Sequence, residues 1–155
     1  MIDTASLLRL FLAVVFGGII GTERLLRCHA AGPHTNGLVA FGAALFVLTG
    51  SQLGADGAAR ALGQVATGIG FLAGGVILRD GLSVRGLNTA ATVWCTAAIG
   101  CVAGMGNLTL AACTTVLVII ANSVFHYLEH TITGFKSTPE SAVPLVPPLK
   151  DDVKK

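Results

Sequence analysis

Charged side chains are scarce in this sequence, and their scarcity excludes most classes of soluble protein. Only 12% of the 155 residues are Asp, Glu, Lys or Arg, whereas 53% are hydrophobic and the mean hydropathy is +0.77. These values lie outside ordinary soluble usage. The ten Lys and Arg residues give a net charge of +2 but are spread thinly between apolar blocks. Nucleic-acid binding is therefore not expected.

Groupings of reactive side chains are also lacking. Cys95, Cys101 and Cys113 lie inside apolar segments and Cys28 lies in a basic loop, with no C-x-x-C and no Cys/His ligand spacing. The sequence contains no Ser/His/Asp set, no paired intramembrane carboxylates and no phosphate-binding loop. We expect neither an enzyme nor a protein with a metal or cofactor.

Hydrophobic residues come in successive blocks of membrane-spanning length. Each block has about 16 to 18 residues, or about 24 to 27 Å of helix, the short end of what a bilayer requires. The prediction is an all-α fold, a polytopic transmembrane bundle of about five helices over residues 1–130. The polar, proline-rich residues 131–155 are predicted to be a disordered cytoplasmic tail. The predicted helices are 5–21, 38–53, 61–78, 88–105 and 108–125.

Basic residues near the predicted helix ends indicate the orientation. Two of them, Arg9 and Arg60, fall on one side of the membrane, and five fall on the other. Cytoplasmic loops carry the excess of Lys and Arg, so the five predict a cytoplasmic C-terminus and an extracytoplasmic N-terminus in a bacterial inner membrane. The five residues are Arg24, Arg27, Arg79, Arg85 and Lys136.

Glycine is abundant, with 20 residues, and recurs at four-residue spacing within the apolar blocks. Small residues at this spacing lie on one helix face, where they let two helices approach closely in lipid. A flexible or broken helix lining a cavity is the alternative. The pairs predicted to pack are Gly17 and Gly21, Gly50 and Gly54, Gly70 and Gly74, and Gly100 and Gly104.

A few polar side chains interrupt the apolar blocks, namely Gln64, Thr67, Thr92, Thr96 and Asn122. Each can form a hydrogen bond across helices or to a carbonyl of its own helix. No carboxylate lies near the middle of a predicted span. This argues against a dedicated pathway for a divalent cation, which requires several oxygen ligands.

Charged and polar residues cluster beside the loops predicted to be cytoplasmic. Charges at such positions commonly anchor helices and set topology, but the same cluster could bind a partner or an anionic group. Asn88 could instead act as the N-cap of the fourth helix. The predicted functional cluster comprises Glu23, Arg24, Arg27, Arg79, Asp80, Arg85, Asn88 and Thr89.

Several motifs in this sequence resemble those of the MgtC/SapB family, and they span roughly residues 9–122. The first group of motifs is 21–24 (GTER), 31–35 (AGPHT) and 42–46 (GAALF). The second and longer group is 68–72 (GIGFL), 75–79 (GVILR) and 84–92 (VRGLNTAAT), followed by Trp94. The resemblance implies an inner-membrane protein that serves adaptation to low magnesium and, in some bacteria, survival inside phagocytes. It also implies that the role is to restrain the proton-driven ATP synthase, and not to carry magnesium.

The sequence departs from the family pattern in two places. Pro33 and His34 stand where the family usually has Leu and Arg, so a titratable ring replaces a constitutive cation. Many virulence-associated members carry a soluble C-terminal domain, which the roughly 30 residues after Phe125 are too short to form. The resemblance is therefore to a short form, the membrane domain without that soluble domain.

Together these observations predict a non-enzymatic membrane regulator of ion and energy homeostasis. Its expected surroundings are the lipid bilayer and another membrane protein, such as the ATP synthase, and self-association into a homo-oligomer is left open. The alternative function is a small transporter of magnesium, another cation or a solute.

Overall fold

Five α-helices make up the bundle in the computed structural model, which describes residues 3–80 and 83–133. The predicted all-α fold of five helices is confirmed. Between the third and fourth helices lies a short antiparallel hairpin of strands β1 (Leu78–Asp80) and β2 (Ser83–Arg85). The helices are α1 (Thr4–Leu26), α2 (Pro33–Ser51), α3 (Ala55–Val76), α4 (Leu87–Gly104) and α5 (Leu108–Thr133).

Among the described residues, three helices are long and apolar enough to cross a membrane: α1, α4 and the Leu108–Leu128 part of α5. The first turn of α2 is polar, and α3 carries Asp56, Arg60 and Gln64 among its glycines, which lowers the hydropathy of both helices. Five crossings therefore remain a prediction. The last helix runs to Thr133, so the predicted tail begins later than expected; residues 134–155, including Lys136, lie outside the described residues.

The second helix begins at Pro33, whereas the sequence predicted a loop as far as residue 37. Proline fits the first helical position because the missing N–H would have no intrahelical partner there. The side chain of Asn36 donates hydrogen bonds to the backbone oxygens of Ala31 (2.8 Å) and Gly32 (3.1 Å), which ties down the chain entering α2. The Gly and Pro residues of this segment, which commonly interrupt helices, thus gave a wrong loop prediction.

The first helix also extends further than predicted, to Leu26. It ends in a Schellman motif, in which Cys28 N–H donates to Leu25 O and His29 N–H donates to Arg24 O, both at 3.0 Å. Cys28 takes the left-handed conformation (φ 59°) that this motif usually assigns to glycine. As a result, Glu23 and Arg24 belong to the last turns of the helix and not to a loop.

The central helix of the bundle is α2, which packs between α1 and α4 through glycines of those two helices. A Cβ on Gly17 or Gly21 of α1 would overlap the backbone of α2, and so would a Cβ on Gly100 or Gly104 of α4. In lipid, such close approach supplies the van der Waals contact that holds helices together. The polypeptide thus packs backbone against backbone on two sides of α2.

The glycines of α3 differ from this pattern. Gly50 of α2 packs against Gly57 and Ala61 at the turn into α3, but Gly70 and Gly74 face open space with no atom within 4 Å of an added Cβ. The predicted packing of Gly70 and Gly74 is therefore wrong for contacts within the described chain. The reason is that α3 buries a different face, on which Ile69 and Ala73 lie.

Replacing Gly100 by Ile should destabilise the bundle, because the branched side chain would collide with the backbone of Ala40. Overpacking of this kind costs about 1–3 kcal/mol or more. The matched control is Gly70→Ile, which adds the same side chain where there is room. Thermal unfolding of detergent-solubilised protein should show a lower Tm for Gly100→Ile alone; equal loss in both variants would contradict this packing.

The orientation can be tested with cysteines in two exposed turns, since Cys28 is exposed and Leu53 is 82% exposed. In a background with Cys95 and Cys113 replaced by Ala, a membrane-impermeant maleimide should label the Leu53→Cys variant in right-side-out vesicles. Cys28 should react only after permeabilisation, because the positive-inside rule places it in the cytoplasm. Labelling of Cys28 in intact vesicles would reverse the topology.

Candidate functional site

A buried contact between α1 and α4 forms the centre of the candidate site. Arg24 is 1% exposed, and its Nη2 donates a hydrogen bond to Oγ1 of Thr89 at 3.2 Å. Thr89 is fully buried. Because Gly21 lets α1 lie directly against the start of α2, a long cationic side chain one turn further on points into the bundle. Burying a charged group costs free energy unless the group is hydrogen-bonded. The hydrogen bond to Thr89 therefore helps to hold the Arg24 side chain in this buried position.

A second polar contact joins α1 to α5. The guanidinium of Arg27 forms an ion pair with Glu23 one turn earlier and donates a hydrogen bond from Nη2 to Oγ of Ser123 at 2.8 Å. The side chains of Arg27 and Glu23 are 28% and 13% exposed. Arg27 therefore links the last turn of α1 to the C-terminal part of α5, at the same end of the bundle as Arg24.

A third contact joins α2 to α4 deeper in the bundle. Oδ1 of Asn36 accepts a hydrogen bond at 3.0 Å from the Thr96 hydroxyl, which also lies 2.9 Å from Thr92 O in its own helix. Asn36 and Thr96 are completely buried. With both amide hydrogens bonded to backbone oxygens, the Asn36 side chain has partners for its donors and its acceptor.

The residues of the predicted functional cluster lie in two environments, some in contacts between or within helices and others at or near the surface. Glu23, Arg24, Arg27 and Thr89 are engaged in contacts between or within helices, as described above. Asn88 is exposed and Arg85 is half-buried in strand β2. Arg79 and Asp80 lie on β1, and their side chains fall outside the described part of the chain.

Asn88 does not cap α4, contrary to that sequence interpretation. The N-cap is Gly86, with φ 85° in the left-handed region, and a Cβ there would overlap the carbonyl of Val76. Only glycine fits this close approach without strain. Helix α4 thus begins one residue before Asn88, whose side chain stands at the exposed surface of the first turn.

Asn36 and Ser123 are missing from the predicted site, although both make side-chain contacts between helices. Asn36 falls in a stretch whose Gly and Pro content indicated a loop; Pro33 as a first helical residue was the signal for a helix there. Ser123 has no sequence signal of its own, since its role depends on α5 lying against α1.

The described side chains of the site offer hydrogen-bonding and ionic contacts. In the ranges 3–80 and 83–133, no three His, Cys, Asp or Glu residues come together as a metal site. Glu23 and Arg27 form an ion pair at this end of the bundle. Among the described side chains of the predicted cluster, Asn88 is exposed and Arg85 is half-buried, and both can donate hydrogen bonds to a partner.

Comparison with known proteins finds a matching family and several similar sequences. A model of the MgtC family matches residues 10–131. Protein MgtC of Salmonella typhimurium is 47% identical over 116 residues, which cover 75% of this chain and 50% of that protein. Protein MgtC of Brucella abortus is 47% identical over 121 residues (77% and 51%), and an uncharacterized Synechocystis protein is 51% identical over 118 residues (76% and 50%). No solved structure matches the chain.

The apolar helices and the buried interhelical polar contacts define a polytopic α-helical membrane protein. Within that class, the chain belongs to the MgtC family, as the motif resemblance indicated. It spans about half the length of the curated relatives that it matches.

Removing the Thr89 hydroxyl should destabilise the bundle, because Arg24 would lose a buried acceptor. Thr89→Val keeps the shape of the side chain, and the loss of such a hydrogen bond costs about 1–3 kcal/mol. The control is Thr49→Val on the exposed side of α2, where the hydroxyl bonds only to carbonyls of its own helix. A lower Tm in detergent is expected for Thr89→Val and not for Thr49→Val; the opposite order would show that the buried contact adds no stability.

Proposed function

We propose that this chain is a non-enzymatic protein of the bacterial inner membrane that regulates ion and energy homeostasis when magnesium is scarce. It acts by contacting another membrane protein, for which the proton-driven ATP synthase is the proposed candidate. The family match and the relatives named Protein MgtC support a membrane protein of the MgtC type. The low-magnesium role is carried over from the family resemblance. Survival inside host cells is part of the same proposal and comes from the family resemblance alone.

The structural observation that supports the proposal is the exposed position of Asn88. The buried polar residues of the cluster already bond to one another, so they hold the helices in place. Asn88 lies at the start of α4 with its side chain exposed, within the 84–92 motif and three residues after the half-buried Arg85. An amide and a guanidinium three residues apart can recognise backbone carbonyls or a carboxylate of a partner.

The buried contacts give this surface a fixed position. Gly86 sets the path of the chain into α4 through its close contact with Val76, and Thr89, one residue after Asn88, is fixed by Arg24. A recognition group on such a rigid support loses little conformational freedom on binding. Helix packing and surface recognition are therefore separate tasks of neighbouring residues in one motif.

Arg85→Lys and Asn88→Ala should abolish function while the protein still inserts and folds. Lysine keeps the charge of Arg85 but cannot hold a carboxylate with two parallel hydrogen bonds. Two quantities are measured for each variant. They are the growth, under magnesium limitation, of bacteria that produce it and the amount of the protein in their membrane. Arg60→Lys and Gln52→Ala, at exposed positions predicted to lie on the opposite membrane side, are matched controls. Normal growth of both variants at normal protein levels would show that this surface only anchors the helices.

Two further measurements separate regulation from transport. In inverted membrane vesicles, the ATP synthase pumps protons when it hydrolyses ATP, and the rate of this pumping should fall when the chain is present. With the Asn88→Ala variant in its place, the rate should return to that of vesicles without the chain. Magnesium flux into proteoliposomes of pure protein should stay at the level of empty liposomes. Flux by the pure protein, with unaffected proton pumping, would favour the transporter and contradict the proposal.

A further inference from the structure

An apolar cleft runs along the bundle between α2 and α3. Its volume is about 510 Å³, and Ala97 of α4 contributes to its lining. The two helices touch near their connecting turn, where Gly50 lies against Gly57. Further along, Gly42 of α2 and Gly68 of α3 both line the cleft, and an added Cβ at either would meet no atom within 4 Å. The lack of side chains at these two glycines therefore helps to form the cleft.

Polar residues lead into one end of this cleft along α3. Asp56, Arg60 and Gln64 are exposed, and none of them makes a hydrogen bond or ion pair within the described part of the chain. Gln64 lines the cleft, as do Gly68 and Leu72. Residues four positions apart form one ridge on the surface of a helix. A charged end, an amide and an apolar stretch therefore follow one another along a single ridge of α3.

The length of this ridge matches the depth of one membrane leaflet. The predicted third span begins at residue 61, which places Arg60 at the extracytoplasmic membrane surface. Gln64 then lies about 6 Å deeper, and Leu72 lies about 18 Å deeper than Arg60. Half of the hydrocarbon core of a bilayer is about 15 Å thick. A phospholipid with its headgroup at Arg60 can therefore extend an acyl chain as far as Leu72.

We propose that this cleft binds one phospholipid of the extracytoplasmic leaflet, with an amine-bearing headgroup of the phosphatidylethanolamine type. The guanidinium of Arg60 binds the phosphate, and the carboxylate of Asp56 binds the ammonium group. The amide of Gln64 donates a hydrogen bond to an ester carbonyl oxygen. One acyl chain lies in the cleft between Gly42 and Gly68. The proposal does not depend on the proposed function.

Size and charge favour this occupant over a protein helix and over an anionic lipid. A helix about 10 Å across and 18 Å long occupies about 1,400 Å³, more than twice the volume of the cleft. An acyl chain is narrower, but it gains only packing when it leaves the surrounding lipid for the cleft. Selectivity must therefore come from the headgroup. The opposite charges of Asp56 and Arg60 complement a zwitterionic headgroup, whereas an anionic headgroup without an amine leaves Asp56 without a partner.

Native mass spectrometry of the solubilised protein, delipidated and then given a defined lipid, tests the headgroup contacts. Dioleoyl phosphatidylethanolamine should bind roughly two- to fivefold more tightly than dioleoyl phosphatidylglycerol, the effect of one exposed ion pair. Asp56→Asn should bring the two affinities together. Arg60→Gln should weaken binding of both lipids, whereas Arg60→Lys keeps the charge and should bind as the parent does. Equal affinities in the parent protein, or no bound lipid, would contradict the proposal.

Filling the cleft provides the second test. Gly68→Leu places a side chain inside the cleft and should abolish lipid binding, and Gly42→Leu should do the same from the opposite wall. The matched control is Gly63→Leu, at a glycine of α3 that does not line the cleft and where an added Cβ also meets no atom within 4 Å. The Tm of the delipidated protein should be the same in all three variants. Loss of lipid in Gly63→Leu as well, or in none of the variants, would place the lipid elsewhere.

Photolabelling in liposomes distinguishes a binding site from ordinary contact with the bilayer. A phosphatidylethanolamine with a diazirine in its acyl chain should label Leu72 more strongly than Leu117 of α5, although these side chains are 56% and 62% exposed. Equal labelling of the two residues would show contact with bulk lipid only and would overturn the proposal. So would a photoreactive benzoylphenylalanine at position 72 that crosslinks, in native membranes, to a second copy of the chain or to another protein.

Discussion

Close approach of helix backbones to α2 is the constraint on which the rest of the structure depends. In lipid, burying leucine against leucine gains little, so association relies on tight van der Waals contact and a few hydrogen bonds. Gly17 and Gly21 on one side of α2, and Gly100 and Gly104 on the other, leave no room for a side chain. The two buried clusters around α2 are accordingly rich in alanine.

That close packing also decides what the polar residues do. Since α1 and α4 are held against α2, Arg24 reaches Thr89 and Asn36 reaches Thr96, each within hydrogen-bonding distance. These contacts satisfy groups that hydrocarbon could not, and they fix the start of α4 relative to the end of α1. Asn88 remains outside this network, and its exposure follows from the way in which Gly86 turns the chain into α4.

Two surfaces remain after the internal contacts are assigned, and they lie on different parts of the chain. One is the region of Arg85 and Asn88, which we propose contacts a partner membrane protein. The other is the face of α3 that carries Gly63, Gly70 and Gly74, where an added Cβ would meet no atom of the described chain. The buried residues of α3, Ile69 and Ala73, lie on a different face of the helix.

The sequence by itself determined the helical membrane class, the number of helices and the family, because hydropathy and local motifs are properties of neighbouring residues. It also indicated the glycine spacing, but spacing marks a face without stating what lies opposite. Only the tertiary structure showed that Gly17, Gly21, Gly100 and Gly104 meet α2, whereas Gly70 and Gly74 meet nothing in the described chain. It likewise divided one charged cluster into a buried Arg24 and an exposed Asn88. The physical reason is that burial and hydrogen-bond partners depend on how distant helices pack together, which no local pattern in the sequence contains.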